Sequence, residues 1–397
     1  MHMMSTQKHI LLAVTGGIAA YKCCELVRLL KKAGHEVTVA MSRSATEFIH
    51  PNTFQALSGN PVLVDTHGTS DGNGMAHINL TREADVMLIA PATANTIAKV
   101  AHGIADNLIS NLVAARTCPL VIAPAMNVQM WFNPANLRNI QQLKDDGVTI
   151  LEPASGEQAC GEIGVGRMLE AVQIADLLPD AWLSKALFGT NVMITTGATF
   201  EAIDPVRGIT NISTGQMGVA LARACRRAGA NVTLIYGQIQ TDLPNGLTHT
   251  IQAVSADAMY QAVHQSVREQ DVFISVAAVA DYKVKNASNE KIKKQAGVAP
   301  VIELTENPDI LASVSQLDDA PFCVGFAAES HDLLNHARAK RQRKGVPLLV
   351  ANLVSESMGK ATNQVTLLDD EAETKLPNMG KDQVAEAIVQ RIAHLLP

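Results

Sequence analysis

Aromatic residues are scarce in this sequence, 4 % of 397 residues, although 47 % are apolar. A core of that composition is mostly Ala, Val, Ile and Leu, as expected for strands covered on both faces by helices. Positive charge is not in excess: 32 Lys and Arg stand against 38 Asp and Glu, for a net charge of −6. That balance argues against the broad basic field of a nucleic-acid binder. The six cysteines, Cys23, Cys24, Cys118, Cys160, Cys225 and Cys323, are irregularly spaced and form no CxxC pair. Neither a zinc module nor a disulfide scaffold is indicated. The chain also lacks a run of 18 apolar residues and a basic-then-apolar leader. The expectation is a soluble, cytoplasmic protein without a membrane partner. Neither GxGxxG nor GxxxxGK[ST] occurs, so the full dinucleotide fingerprint and the Walker A loop are missing.

The length suggests two or three domains. Residues 9–42 (HILLAVTGGIAAYKCCELVRLLKKAGHEVTVAMS) read as strand, glycine turn, helix, strand, with Leu26, Leu29 and Leu30 at helical spacing. Residues 191–237 repeat the pattern, with an insertion between the first strand and the helix. Two α/β domains follow, 1–188 and 189–397, with the break in PDAWLSKALFGT (179–190). Strands are predicted at 9–15, 35–41, 86–90, 118–123 and 148–151, then at 191–196, 231–236, 271–277, 322–326 and 347–351. The expected fold is two Rossmann-like three-layer domains, each with a five-stranded, parallel-type sheet.

Ligands of such sheets bind outside the carboxyl ends of the strands. Two apolar runs end there in Ala-Pro, VMLIAPATANT (86–96) and VIAPAMNVQMW (121–131). Thr93, Asn95 and Thr96 offer neutral donors and acceptors. Thr15, Gly16 and Gly17 open a helix whose N–H groups suit one phosphate, and so a mononucleotide. TGG also suits an ordinary tight turn, and the two Ala-Pro loops suit helix capping and packing. His77 precedes a predicted helix, where a surface or capping role is equally natural. Cys160 lies in the glycine-rich ACGEIGVGRM, either as a packed thiol or as a proton donor beside a flavin.

In the second half, TTGAT (195–199) ends a strand, and Asn211, Ser213, Thr214 and Gly215 lead into a helix. Asp204 and Arg207 of DPVR are spaced to pair or cap locally. SVAAVADYKVKNASNEKIKK (275–294) joins a small-residue strand end to Asp281 and to Lys291, Lys293 and Lys294. Lys340 and Lys344 share a helix face at i and i+4. Small strand ends with several lysines suit a triphosphate, although a solvated basic segment has the same composition.

Over residues 8–180, TGGIAAYK, PATANT, PAMNVQMW and ACGEIGVGRM resemble the flavin-dependent phosphopantothenoylcysteine decarboxylases. The resemblance implies a flavodoxin-like domain with FMN held noncovalently between subunits of a trimer. Gly17, Thr93 and Asn95 would contact FMN. His77 would be the base, Asn127 would grip the substrate carboxylate beside Met126, and Cys160 would protonate an enethiol intermediate. Oxidation of the thiol side to a thioaldehyde gives the electrons left by CO2 somewhere to go, and the reduced flavin later returns the hydride.

Over 189–395, TTGATFEAIDPVRGITN, STGQMG, AAVADY, KIKK, NPDI and GFAAE are similar to phosphopantothenate–cysteine ligase. The fused bacterial form uses CTP, with Mg2+ bridging its phosphates. Asn211 would bind the acyl-cytidylate, and Lys291 would steady phosphoryl charge. Ala277, Asp281, Phe326, Lys340, Lys344 and Pro308, Asp309, Ile310 and Leu311 would contact CTP. The loop from Ala280 to Lys294 would fold over the site. Relatives commonly carry lysine where Gln216 stands, so one positive charge is missing here. The resemblance further implies a homo-oligomer, decarboxylase trimers joined by ligase dimers into a dodecamer. The substrates would be phosphopantothenate, cysteine and phosphopantothenoylcysteine, and metal ligands are not assigned. A plain flavin oxidoreductase with a degenerate second domain would be yellow but would not bind CTP. A non-catalytic regulatory flavoprotein would not need His77, Asn127 and Cys160 together. A prenyl-transferring flavin enzyme would need neither Cys160 nor the second half.

Overall fold

The structure is a computed structural model. It describes residues 7–65, 76–159, 161–293, 301–329, 331–353, 360 and 362–396, and for 76–79 the backbone alone. The chain divides into two compact units, Met1–Leu183 and Ser184–Pro397.

The first unit holds strands β1 (His9–Val14), β2 (Glu36–Met41), β3 (Leu63–Val64), β4 (Val86–Ala92), β5 (Leu120–Pro124) and β6 (Thr149–Ile150). They form one sheet in the order β3-β2-β1-β4-β5-β6, parallel throughout. With the two-residue edge strand β3 set aside, the five remaining strands run 2-1-3-4-5, the flavodoxin-like order. The direction of winding reverses between β1 and β4, which opens a crevice at their carboxyl ends. Helices α1 (Lys22–Lys32), α2 (Pro51–Ser58), α3 (Ala76–Glu83), α4 (Ala94–Ala101), α5 (Leu108–Ala115), α6 (Val128–Trp131), α7 (Pro134–Asp145) and α8 (Ala171–Leu177) complete the unit. Strand period decides which face each side chain takes. Ile10, Leu12 and Val14 pack with Leu26, Leu30 and Ile174, from α1 and α8. Leu11 and Ala13 pack with Ile97, Leu112 and Ile140, from α4, α5 and α7. An antiparallel hairpin, β7 (Ala154–Glu157) and β8 (Ile163–Arg167), stands apart from the sheet.

The second unit contains β9 (Asn191–Thr196), the hairpin β10 (Phe200–Ala202) and β11 (Gly208–Thr210), β12 (Asn231–Tyr236), β13 (His249–Gln252) and β14 (Val272–Ser275). It continues with the hairpin β15 (Tyr282–Val284) and β16 (Leu304–Glu306), then β17 (Phe322–Glu329), β18 (Leu348–Leu353), β19 (Thr362–Asn363), β20 (Val365–Leu368), β21 (Glu373–Lys375) and β22 (Met379–Gly380). Helices α9 (Gln216–Arg227), α10 (Ala256–Ser266), α11 (Ile310–Ser315) and α12 (Leu333–Lys344) lie between strands, and Lys381–Leu395 forms the C-terminal helix. The sheet order is β13-β12-β9-β14-β17-β18-β20-β21. Val192 and Ile194 pack with α9 and the C-terminal helix, whereas Met193 packs with α10 and α11.

Five strands per sheet was an underestimate. Among the described residues the first sheet has six strands and the second eight, with β20 antiparallel to both of its neighbours, β18 and β21. Short β3 carries too few residues for a period to show. At the other edge, Asp369 accepts the backbone N–H groups of Glu371 (2.9 Å) and Ala372 (3.0 Å). This tight turn sends the chain from β20 back along it as β21.

Candidate functional sites

In the first unit, the ends of β1 and β4 are tied together by one hydroxyl. Thr15 Oγ1 donates to the Pro91 carbonyl (2.6 Å) and accepts the Thr93 N–H (3.1 Å). Thr93 in turn caps α4, its Oγ1 accepting the Thr96 N–H at 3.3 Å. A cavity of about 420 Å³ opens here, lined by Thr93, Asn95 and Thr96 and by Ser42, Arg43 and Ser44. Ser44 packs so close that a Cβ on Gly16 would lie 2.4 Å from its Oγ, which explains the glycine.

A second cavity, of about 610 Å³, is lined by Gly17, Tyr21, Lys22, Met126, Asn127 and Gln158 among others. The sequence candidates Gly17, Thr93 and Asn95 therefore sit at adjacent strand ends but border two cavities. The β7–β8 hairpin is seated on the start of α6. The Met126 N–H donates to the Gly166 carbonyl (2.9 Å), and the Val128 N–H donates to Gln158 Oε1 (3.1 Å). Gly166 has φ 144°, and a Cβ there would lie 2.3 Å from the Met126 carbonyl oxygen. Asn127 caps α6, its Oδ1 accepting the Gln129 N–H at 2.8 Å. That bond fixes which way the amide points, and its Nδ2 donates to the Glu162 carboxylate. Lys22 is buried and is held by Glu170 (2.8 Å) and the Met168 carbonyl (2.9 Å). His77 lies in the first turn of α3 rather than ahead of it, and only its backbone is described. Cys160 lies outside the described residues, while its neighbour Ala159 lines the larger cavity. Burial pushes the thiols of Cys225 and Cys323 up to about 12, as expected for packed, unreactive cysteines.

In the second unit one cavity of about 380 Å³ collects all nine nucleotide candidates: Ala277, Asp281, Pro308, Asp309, Ile310, Leu311, Phe326, Lys340 and Lys344. The two lysines enter from α12, one turn apart. Burial pushes the Lys340 ammonium below the usual lysine range, with Glu329 and Asp281 opposing the shift. A partly buried cation is suited to a polyanion, which would offset its lost hydration. Asp309 is committed at both oxygens: Oδ1 accepts the Ala312 N–H (3.0 Å) to cap α11, and Oδ2 pairs with Lys344. Asn211 and Lys291 do not line this cavity. Asn211 Nδ2 donates to the Ala278 carbonyl (3.0 Å), next to Ala277. Lys291 is exposed, in a segment whose Ser288 N–H donates to the Ile203 carbonyl at 3.0 Å. Lys294, at the end of the loop from Ala280, is outside the described residues. Gln216 Oε1 accepts from the Lys381 ammonium (3.1 Å), which returns a positive charge to the start of α9.

Sequence reasoning missed Ser42, Arg43 and Ser44. A Ser-x-Ser directly after the β2 run was the available signal. Asn307, which also lines the cavity of the second unit that collects the nine candidates, was missed as well. Its Nδ2 donates to the Ala280 carbonyl (2.8 Å), a contact that no local pattern announces. Among the described residues, no group of three or more His, Cys, Asp or Glu is placed to hold a metal ion. No described helix is long and apolar enough to cross a membrane.

Two doubly wound units with cavities at their strand ends define a two-domain α/β protein. Residues 2–182 match the family described as Flavoprotein, and residues 187–396 match the DNA/pantothenate metabolism flavoprotein C-terminal domain. The chain is 44 % identical over 394 residues to the coenzyme A biosynthesis bifunctional protein CoaBC of Vibrio vulnificus (strain YJ016), covering 98 % of each chain. It is 43 % identical over 399 residues to that of Bacillus subtilis (strain 168), covering 99 % of this chain and 98 % of the relative. To that of Escherichia coli (strain K12) it is 42 % identical over 393 residues, covering 97 % and 96 %. The chain belongs to the CoaBC family of bifunctional coenzyme A biosynthesis proteins.

Proposed function

We propose that the second unit joins phosphopantothenate to cysteine at the expense of CTP, and that the first unit decarboxylates the resulting phosphopantothenoylcysteine. The observation that carries this reading is the convergence of nine residues from four separate stretches of chain, two of them lysines of α12, on one cavity. A carboxylate is a poor acyl donor until its oxygen becomes a good leaving group. Its oxygen attacks the α-phosphorus of CTP, releasing pyrophosphate. The cysteine amine then attacks the acyl carbon, CMP leaves, and the amine proton passes to solvent. Lys340 and Lys344 hold the phosphate charge, and Asp309 sets the position of Lys344. Asn211 binds the acyl-cytidylate, and Lys291 neutralises charge at the phosphoryl oxygens. Mg2+ bound with CTP would offset part of the triphosphate charge.

The cavities at the ends of β1, β2 and β4 fit FMN in kind. They offer neutral donors from Ser42, Ser44, Thr93 and Asn95, with Arg43 as the cation for a phosphate. Bound FMN would supply the two-electron redox step that lets the carboxylate leave as CO2. Asn127 presents its amide N–H groups to the substrate carboxylate, Met126 bounds the pocket, His77 moves a proton, and Cys160 delivers one to the product.

The reading is tested with the purified chain, phosphopantothenate, cysteine, CTP and Mg2+, following pyrophosphate and CO2 separately. Pyrophosphate is expected first, in a step that needs CTP and phosphopantothenate and turns over only when cysteine is present, and CO2 after it. Pyrophosphate without CO2 from an FMN-loaded sample would remove the decarboxylase half, and CO2 from supplied phosphopantothenoylcysteine with no pyrophosphate from phosphopantothenate, cysteine and CTP would remove the ligase half.

Glu162 carries a carboxylate where Asn127 is to receive the substrate's own. Glu162→Gln removes this competitor and its like charge. The KM for phosphopantothenoylcysteine should fall about two- to fivefold, the size of an exposed charge interaction. The gain should shrink as salt is added. A KM that stays put at low ionic strength counts against competition for Asn127.

A further inference from the structure

The DPVR stretch is left without a task by the reaction above. Asp204 is almost fully enclosed, 1 % exposed, and a buried carboxylate needs donors to offset lost hydration. It has more than a local turn supplies. Oδ1 accepts the N–H groups of Val206 (2.9 Å) and Arg207 (2.8 Å), which closes the turn between β10 and β11. Oδ2 accepts from Arg207 Nε (3.0 Å) and from its Nη2. Oδ2 also accepts the backbone N–H of Ile292 at 3.1 Å, from 88 residues further along the chain. Arg207 Nη2 donates to the Ile292 carbonyl at 2.9 Å. The ion pair thus grips both backbone groups of the residue that follows Lys291. The Ser288 N–H, on the Ile203 carbonyl (3.0 Å), fixes the same segment four residues earlier.

We propose that Asp204, together with Arg207, is a positioning pair for Lys291, holding the backbone beside it so that the ammonium is presented to the phosphoryl group. This rests on the assignment of Lys291 to ligation. A turn that served only β10 and β11 would need the Val206 and Arg207 donors and nothing from residue 292. The Arg207 guanidinium holds the Asp204 carboxyl well below the usual carboxylate range, so the clamp is charged at any pH used for assay. Arg207 neutralises Asp204, which leaves Lys291 without a competing counter-ion from the clamp.

The test uses the full chain and four variants: Asp204→Asn, Arg207→Lys, Lys291→Gln and the double variant Asp204→Asn/Lys291→Gln. Asparagine keeps the turn acceptor but loses the charge that pairs with Arg207. Ligation kcat should fall about 10- to 100-fold in Asp204→Asn, the cost of a misplaced group, while the KM for CTP stays within about twofold. Arg207→Lys should show a smaller loss of the same kind, and it serves alone if Asp204→Asn does not fold. The decisive reading is the cycle: a clamp that acts through Lys291 costs nothing more once Lys291 is gone. Equal fold-losses from Asp204→Asn with and without Lys291, or unchanged kcat in both single clamp variants, overturn the positioning role. Full ligase activity in Lys291→Gln itself overturns the underlying assignment, and that outcome is visible independently of the clamp.

Discussion

Lys291→Gln is expected to lower pyrophosphate release by about 10²- to 10³-fold, the usual cost of removing one preorganised charge from a phosphoryl or acyl transition state. Glutamine nearly matches the length and keeps hydrogen-bond donors, so the change isolates charge. The KM for CTP should move little, because Lys340 and Lys344, not Lys291, line the cavity proposed for the triphosphate. Decarboxylation of supplied phosphopantothenoylcysteine should be untouched, since each unit has its own core. The measurement is steady-state release of pyrophosphate and of CO2 from one preparation. Full pyrophosphate release removes the lysine from the chemistry. A parallel loss of CO2 from supplied substrate would mean that the substitution damages the whole chain.

The long central strands were legible because each is a bare apolar run. Strands such as β1 (HILLAV) and β4 (VMLIAPA) are covered on both faces, so they read as near-continuous apolar runs without alternation. What escaped were elements defined by their partners. β3 has two residues and β21 three, and β21 joins the sheet through the Asp369 turn that sends the chain back along β20. The candidate sites divide in the same way. Strand-end positions such as Thr93 and Asn127 follow from where apolar runs stop. The residues assigned to CTP came through family resemblance, and it is tertiary packing that brings Ala277, Pro308, Phe326 and Lys340 to one cavity. Asp204 and Arg207 were readable as a local pair from their spacing of three. Their hold on Ile292 was not, because no periodicity links positions 88 residues apart. The charge at Gln216 shows the same limit. In sequence a lysine is simply missing, whereas in space Lys381 supplies an ammonium at 3.1 Å from another helix.

Asn127→Asp should have the larger effect on the first unit and the more diagnostic one. Aspartate is nearly isosteric with asparagine and is an equally good helix cap, so its oxygen can still accept the Gln129 N–H that now bonds Oδ1 at 2.8 Å. The start of α6, and with it the seat of the β7–β8 hairpin, should therefore survive. What changes is the atom facing the pocket. The Nδ2 donor, which already binds a carboxylate in Glu162, becomes a carboxylate oxygen. A hydrogen bond to a charged group is worth about 1.5–3 kcal/mol, and replacing it by a like charge adds repulsion of similar sign. The expected loss in kcat/KM for decarboxylation is about 10²- to 10³-fold, with ligation unchanged. Protonating the new aspartate restores a donor, so part of the activity should return as the pH is lowered toward the carboxylate range. A merely structural lesion would not recover with acid. If Asn127→Asp decarboxylates at the normal rate at neutral pH, the amide does not receive the substrate carboxylate. Its contact with Glu162 then serves only to seat the hairpin.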